Sequence, residues 1–128
     1  MKHAKGTRKT ILVVEDEPAI CQICVRTLSV DGFDVDIAIN GAVAEDMLGK
    51  KKYDLCLIDV RTPVMNGKEL YQHIKEKYPK FTNKTIFTTA ATLDDKVASL
   101  LKGANRPYLP KPFTPDELRA LVKKVLKG

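Results

Sequence analysis

The chain has 128 residues, of which 44% are apolar and 30% are charged, and its formal net charge is +6. These values are typical of one globular domain with a sizeable core, and no apolar run approaches the roughly 18 residues of a membrane-spanning helix. The polar, basic residues 1–9 lack the apolar centre of a secretory signal. We therefore expect a cytoplasmic domain over residues 10–128, preceded by a basic flexible tail over residues 1–9, with no membrane partner.

Most of the net positive charge lies in that tail. Residues 1–9 contain Lys2, Lys5, Arg8 and Lys9 and no acidic residue, so the rest of the chain has only a small excess of positive charge. A basic tail could contact an acidic partner or nucleic acid, but a solvated tail is the simpler interpretation. The charge distribution gives no reason to expect a nucleic-acid partner for the domain itself.

Strands and helices alternate along the chain. In chain order, apolar runs and one alternating polar–apolar stretch, at 34–39, predict strands at residues 11–15, 34–39, 54–58, 85–90 and 108–109. After each strand, apolar residues recur at helical spacing and predict helices around residues 20–28, 43–48, 70–78, 93–101 and 118–125. Five strand–helix units of this kind indicate an α/β fold with a parallel sheet and helices on both faces.

The order of the strands follows from which of them can lie at an edge. Pro107 and Pro110 bracket strand five, and proline cannot donate to a sheet ladder, so this strand belongs at an edge. Residues 34–39 alternate polar and apolar side chains, which fits the other edge. Both conditions are met by a doubly wound sheet of order 2-1-3-4-5, a flavodoxin-like three-layer sandwich.

Three carboxylates follow the two strands that flank the reversal of this strand order. Glu15 and Asp16 end strand one, and Asp59 ends strand three. Neighbouring strands are about 4.8 Å apart, so these acids should meet where doubly wound folds bind ligands. Three carboxylates stay ionised together only beside a cation, and oxygen ligands without clustered His or Cys favour Mg²⁺ or Mn²⁺.

A carboxylate beside such a cation suggests phosphoryl transfer with Asp59 as the nucleophile. The transferred group carries negative charge on three oxygens, so a second cation and a hydroxyl donor would help. Lys111 at the end of strand five and Thr89 at the end of strand four are placed to supply them.

These residues resemble the receiver domain of two-component response regulators. The resemblance covers about residues 10–127 and includes the acid pair, Asp59 with the loop that follows it to Gly67, Thr89-Ala90 and Lys111-Pro112-Phe113. It implies a phosphoprotein of a phosphorelay rather than an enzyme, one that catalyses only its own phosphorylation and slow autodephosphorylation. A histidine kinase or a phosphotransfer protein would donate the phosphoryl group to Asp59.

The resemblance also implies roles for individual residues. Glu15, Asp16, Asp59 and the backbone carbonyl of Arg61 would hold Mg²⁺, and Lys111 would bind the phosphoryl oxygens. Thr89 and Tyr108 would form the switch, with the tyrosine ring turning inward behind the threonine. The surface of helix four, strand five and helix five would bind a downstream protein or support a phosphorylation-dependent homodimer. The Lys111-Pro112 peptide bond is expected to be cis.

The loop after Asp59 departs from the family pattern at Thr62, Val64 and Asn66. These positions shape the entry into helix three and leave the expected chemistry intact. Cys21 and Cys24 form a Cys-x-x-Cys, but it falls within a predicted helix, so we interpret Cys24 as a core residue.

Two other functions are compatible with parts of this pattern. A Mg²⁺-dependent phosphohydrolase of the haloacid dehalogenase type also uses an aspartate nucleophile, but it places a second Asp where this chain has Arg61. A pseudo-receiver would bind partners without being phosphorylated, and the complete set of acids, threonine and lysine argues against it.

Overall fold

The computed structural model describes residues 8–62, 64–89 and 95–127. The strands are β1 (Thr10–Val14), β2 (Asp34–Ala38), β3 (Leu55–Asp59), β4 (Thr85–Thr89) and β5 (Tyr108–Pro110). The helices are α1 (Pro18–Val30), α2 (Gly41–Lys50), α3 (Gly67–Lys77), α4 (Asp95–Ala104) and α5 (Pro115–Lys127). Among the described residues, no helix combines the length and the apolar character needed to cross a lipid bilayer.

All five strands are parallel and lie in the order β2-β1-β3-β4-β5, so the predicted strand order and fold class are confirmed. β5 has only three residues and ends in Pro110, as expected of an edge strand. At the other edge, the two aspartates of β2 pair with basic side chains: Asp34 lies 2.9 Å from Arg8, and Asp36 lies 3.0 Å from Lys51.

Apolar side chains fill both faces of the sheet. One face, here the α1/α5 face, packs apolar residues of the strands, such as Leu57 and Ile86, against α1 and α5. The opposite face packs Ile58 and Phe87, among others, against α2, α3 and α4. Cys24 is fully buried on the α1/α5 face, which confirms its predicted place in the core.

Some predicted boundaries fall outside the described residues or differ from the structure. Most of the expected flexible tail, residues 1–7, lies outside the described ranges. So do residue 90, where strand four was predicted to end, and residues 93–94, where helix four was predicted to begin. A 3-10 helix over Pro79–Lys84, which the sequence patterns did not predict, follows α3. Proline at the start of this segment cannot continue the helical hydrogen bonds of α3, so the chain tightens there.

The loop from β3 to α3 is held by side-chain hydrogen bonds. The Thr62 hydroxyl donates to the carbonyl of Met65 at 3.0 Å, and its side chain is buried. Asn66 and Glu69 form a reciprocal capping box at the start of α3. Two of the three departures from the family pattern therefore have a structural role in this loop.

Val64 is the third departure, and its backbone is strained. Its φ angle is 68°, in the left-handed region that a β-branched residue rarely adopts, and its side chain is 79% exposed. We expect Val64→Asn to raise the free energy of unfolding by about 1 kcal/mol, because Asn tolerates this conformation and little packing is lost. Urea denaturation would measure the change. A lower free energy of unfolding in the variant would show that the Val64 backbone is not strained.

Candidate functional site

Three carboxylates meet at the carboxyl end of the sheet. β1 and β3 are adjacent and in register, with Val14 beside Ile58, so the next residues, Glu15 and Asp59, are also neighbours. Ligand oxygens of Glu15, Asp16 and Asp59 all lie within 4.8 Å of one another. Glu15 and Asp59 are buried, with 2% and 6% of their surfaces exposed, whereas Asp16 is exposed to solvent.

The ammonium of Lys111 lies between the two buried carboxylates. Its Nζ is 2.9 Å from Glu15 Oε1 and 3.3 Å from Asp59 Oδ2. The backbone N–H of Lys111 donates to the carbonyl of Thr89 at 2.7 Å, which fixes the residue just beyond β5. The following Lys111-Pro112 peptide bond is cis, which confirms the expectation from the resemblance.

Burial and charge act in opposite directions on this pair. Burial raises the pKa of Glu15, and so does the nearby Asp59, although the hydrogen bond from Lys111 opposes both effects. Burial alone would lower the pKa of Lys111, but its hydrogen bond to Glu15 and the charge of Asp59 outweigh this effect and raise that pKa. Lys111 is therefore an ammonium ion at neutral pH and partly neutralises the carboxylates.

The second oxygen of Asp59 is held by the backbone. Oδ1 accepts a hydrogen bond from the N–H of Arg61 at 3.1 Å, while Oδ2 faces Lys111. Arg61, whose carbonyl is an expected metal ligand, thus belongs to the turn that directly contacts the Asp59 side chain. Two donors on two oxygens orient the carboxylate across the end of β3.

The expected switch residues lie on β4 and β5. Thr89 is 1% exposed, and its hydroxyl has no hydrogen-bond partner among the described residues. Tyr108 begins β5, opposite Phe87 in register, and it is 44% exposed, so its ring faces solvent in this conformation. A buried hydroxyl without a partner is rare in native structures and calls for an explanation, of which a functional role is one.

The same geometry includes Thr88, which the sequence patterns did not single out. Its hydroxyl is also buried and has no partner among the described residues. In the sequence it looks like one more β-branched residue of an apolar strand. Only the register, which pairs Thr88 with Asp59, places it beside the carboxylates.

The donor atoms of this cluster fit a hard divalent cation. Its ligand atoms are carboxylate oxygens only, which suits Mg²⁺ or Mn²⁺ rather than zinc. A cavity of about 860 Å³ elsewhere on the molecule is lined by residues of the α2 end and by Tyr78 and Phe81. It includes none of the acidic residues of the cluster.

Comparison with known proteins gives the family of the chain. The model of the response regulator receiver domain matches residues 11–123. Response regulator ArlR of Staphylococcus epidermidis is 37% identical over 117 residues, which are 91% of this chain and 52% of ArlR. Response regulator protein PilR of Pseudomonas aeruginosa is 34% identical over 94% of this chain and 27% of its own length. The chain thus spans about half or less of these relatives.

Solved structures agree with this result. A CheY-like receiver domain protein from Methanospirillum hungatei has a TM-score of 0.85 and 26% identity, covering 94% of this chain and 95% of that one. The receiver domain of the sensor histidine kinase PA1611 from Pseudomonas aeruginosa has a TM-score of 0.84 and 27% identity, covering 95% and 100%. That domain was crystallised with a magnesium ion coordinated in its active site cleft. The chain therefore belongs to the response regulator receiver family, the signalling domains of two-component systems.

Proposed function

We propose that this domain accepts a phosphoryl group on Asp59 from a histidine kinase or a phosphotransfer protein, and that the modification switches its contacts with a downstream protein. The observation that carries the proposal is the meeting of three carboxylates with the Lys111 ammonium at one edge of the sheet. Membership of the receiver family supports it. In this role the domain is a signalling receiver that acts only on itself.

Asp59 is the proposed nucleophile. One carboxylate oxygen forms a bond to phosphorus while the phosphorus–nitrogen bond of the donor histidine breaks, and the bonding electron pair stays on that nitrogen, which takes up a proton. Lys111 then follows the new negative charge and binds phosphoryl oxygens. Its flexible side chain and its place 3.3 Å from Asp59 suit this movement.

Glu15, Asp16, Asp59 and the backbone carbonyl of Arg61 are the proposed ligands of Mg²⁺, or of Mn²⁺ in its place. When bound, the metal would offset the negative charge of the phosphoryl oxygens. Slow loss of the phosphoryl group to water would return the domain to its resting state.

Thr89 and Tyr108 are the proposed switch. The buried Thr89 hydroxyl has no partner at rest among the described residues, so it is available to bind a phosphoryl oxygen. Its movement would leave room for the exposed ring of Tyr108 to turn inward. This would change the surface of α4, β5 and α5, where we place the downstream protein or a second copy of the phosphorylated chain.

A small acyl phosphate and Mg²⁺, followed by intact mass spectrometry, would test the proposal. We expect a gain of one phosphoryl group that disappears when a chelator removes the metal. Consumption of the donor without a stable adduct would instead indicate a phosphohydrolase. If several donors, including a phosphorylated histidine protein, leave the mass unchanged, the domain is a pseudo-receiver.

Lys111→Met should make the metal-free protein less stable and its response to Mg²⁺ larger. Without the ammonium, Glu15 and Asp59 repel each other, and we expect a loss of about 1–2 kcal/mol, less than for a fully buried pair because 17% of the lysine side chain is exposed. Mg²⁺ no longer competes with the ammonium, so the rise in Tm at a fixed Mg²⁺ concentration should exceed that of the wild type. Thermal denaturation with and without Mg²⁺ measures both effects.

Lys123→Met is the matched control for this variant. Lys123 is 56% exposed and lies 3.7 Å from Asp31, away from the carboxylate cluster. It should respond to Mg²⁺ as the wild type does. An equal Mg²⁺ response in all three proteins would contradict competition between Lys111 and the metal.

A further inference from the structure

β4 ends in two consecutive threonines, and only one of them has a role in the proposed function. Thr88 and Thr89 are 2% and 1% exposed, and neither hydroxyl has a hydrogen-bond partner among the described residues. A buried hydroxyl without a partner destabilises a folded protein, because it loses its bonds to water and gains none in return. The proposed movement of Thr89 explains one such hydroxyl, and Thr88 needs an explanation of its own.

Thr88 lies on the same face of the sheet as the Asp59 side chain. Successive side chains of a strand point to opposite faces. Leu57 and Ile86 both pack on the α1/α5 face, and Asp59 and Thr88 follow them by two residues in β3 and β4. Both therefore belong to the α1/α5 face. Thr89, one residue later, belongs to the opposite face.

The strand register makes Thr88 a direct neighbour of Asp59. Asp59 pairs with Thr88 across β3 and β4, and the pairing of Val14 with Ile58 places Glu15 on the other side of Asp59. Glu15, Asp59 and Thr88 thus form one row across three adjacent strands, at a spacing of about 4.8 Å. Asp59, the proposed nucleophile, lies in the middle of this row, between Glu15 and a hydroxyl that has no hydrogen-bond partner in the described part of the chain.

In the resting site, both oxygens of Asp59 already have donors. Lys111 donates to Oδ2 and the backbone N–H of Arg61 donates to Oδ1. The Thr88 hydroxyl has no hydrogen-bond partner among the described residues. The Lys111 side chain starts beyond β5 and must cross the end of β4 to reach Asp59 on β3. A phosphoryl group on Asp59 would add acceptor oxygens and draw this ammonium towards them. The proposed reaction thus supplies acceptors where Thr88 has none.

We propose that the Thr88 hydroxyl is a binding group of the phosphorylated state, in which it donates a hydrogen bond to an oxygen of phosphorylated Asp59. The inference rests on the proposed function. Because the hydrogen bond forms in one state only, Thr88 destabilises the resting domain and stabilises the phosphorylated one. A threonine that only filled space would affect both states equally.

Thr88→Val separates these two roles, because it replaces the hydroxyl with a methyl group of similar size. Tm would be measured with and without Mg²⁺ plus beryllium fluoride, a non-covalent mimic of the phosphoryl group. We expect the variant to have an unchanged or higher Tm at rest. The rise caused by Mg²⁺ and beryllium fluoride should be smaller than that of the wild type by about 3–6 °C. Thr88→Ser, which keeps a hydroxyl, should retain most of the wild-type rise.

An equal rise in Thr88→Val and in the wild type would overturn this inference and leave the proposed function in place. The same is true if Thr88→Val lowers Tm by the same amount at rest and with the mimic, since that is the behaviour of a space-filling side chain. If the wild type itself shows neither a rise nor a gain of mass from a phosphodonor, the proposed function fails, and this inference fails with it.

Discussion

Asp59→Asn is expected to abolish phosphoryl uptake and to leave the fold intact. The amide has nearly the shape of the carboxylate, and its one oxygen can still accept the hydrogen bond from the Arg61 N–H. The amide nitrogen cannot accept from Lys111, but Lys111 keeps Glu15 as its partner. It lacks the anionic oxygen that attacks phosphorus, so no acyl phosphate can form. Intact mass spectrometry after incubation with an acyl phosphate and Mg²⁺ measures uptake, and circular dichroism measures the fold.

Asp46→Asn is the control for this variant. Asp46 is 64% exposed on α2, where it pairs with Lys50, and it has no part in the carboxylate cluster. It should gain one phosphoryl group as the wild type does. Continued uptake by Asp59→Asn would show that another residue is the acceptor, and peptide mapping would then identify it.

Gly67→Ala is expected to destabilise the domain by about 3 kcal/mol, with a fall in Tm of roughly 10 °C. A Cβ atom at this position would lie 2.7 Å from Val60 Cα, 3.1 Å from the carbonyl oxygen of Asp59 and 3.2 Å from Ile58 Cγ2. Two of these are backbone positions at the end of β3, so relief of the overlap must shift the segment that carries the nucleophile. Thermal and urea denaturation measure the loss of stability.

Gly103→Ala is the matched substitution. Gly103 lies in α4, and apart from its chain neighbours and the local helix backbone, no heavy atom of the described residues lies within 4 Å of a Cβ atom built there. Alanine is the better helix former, so this variant should be more stable by about 0.5–1 kcal/mol. If both substitutions had the same effect, the close approach of α3 to β3 would not be the reason that glycine is needed at position 67.

The strand order and the position of the site could be predicted because each depends on local chemistry. Pro107 and Pro110 exclude the fifth strand from the interior of the sheet, and alternation assigns the second strand to the other edge. Glu15 and Asp59 were expected to meet because both follow interior strands. None of these inferences needs to know how far one strand is shifted along its neighbour.

Features that depend on register or on side-chain reach could not be predicted in this way. Thr88 resembles any β-branched residue of a buried strand until its pairing with Asp59 is known. The simultaneous contact of Lys111 with Glu15 and Asp59 depends on the path of a long side chain. The left-handed backbone of Val64 has no sequence signal either, because glycine or asparagine is the residue that normally marks such a position.

The two edge strands have a consequence for how this domain behaves at high concentration. A free strand edge is a template for pairing with another chain, and charged residues and prolines are the usual protection against such aggregation. β2 carries aspartates that are already paired with Arg8 and Lys51, and β5 is short and ends in a proline without an N–H group. Backbone pairing between the strands of two copies is therefore disfavoured at both margins of the sheet.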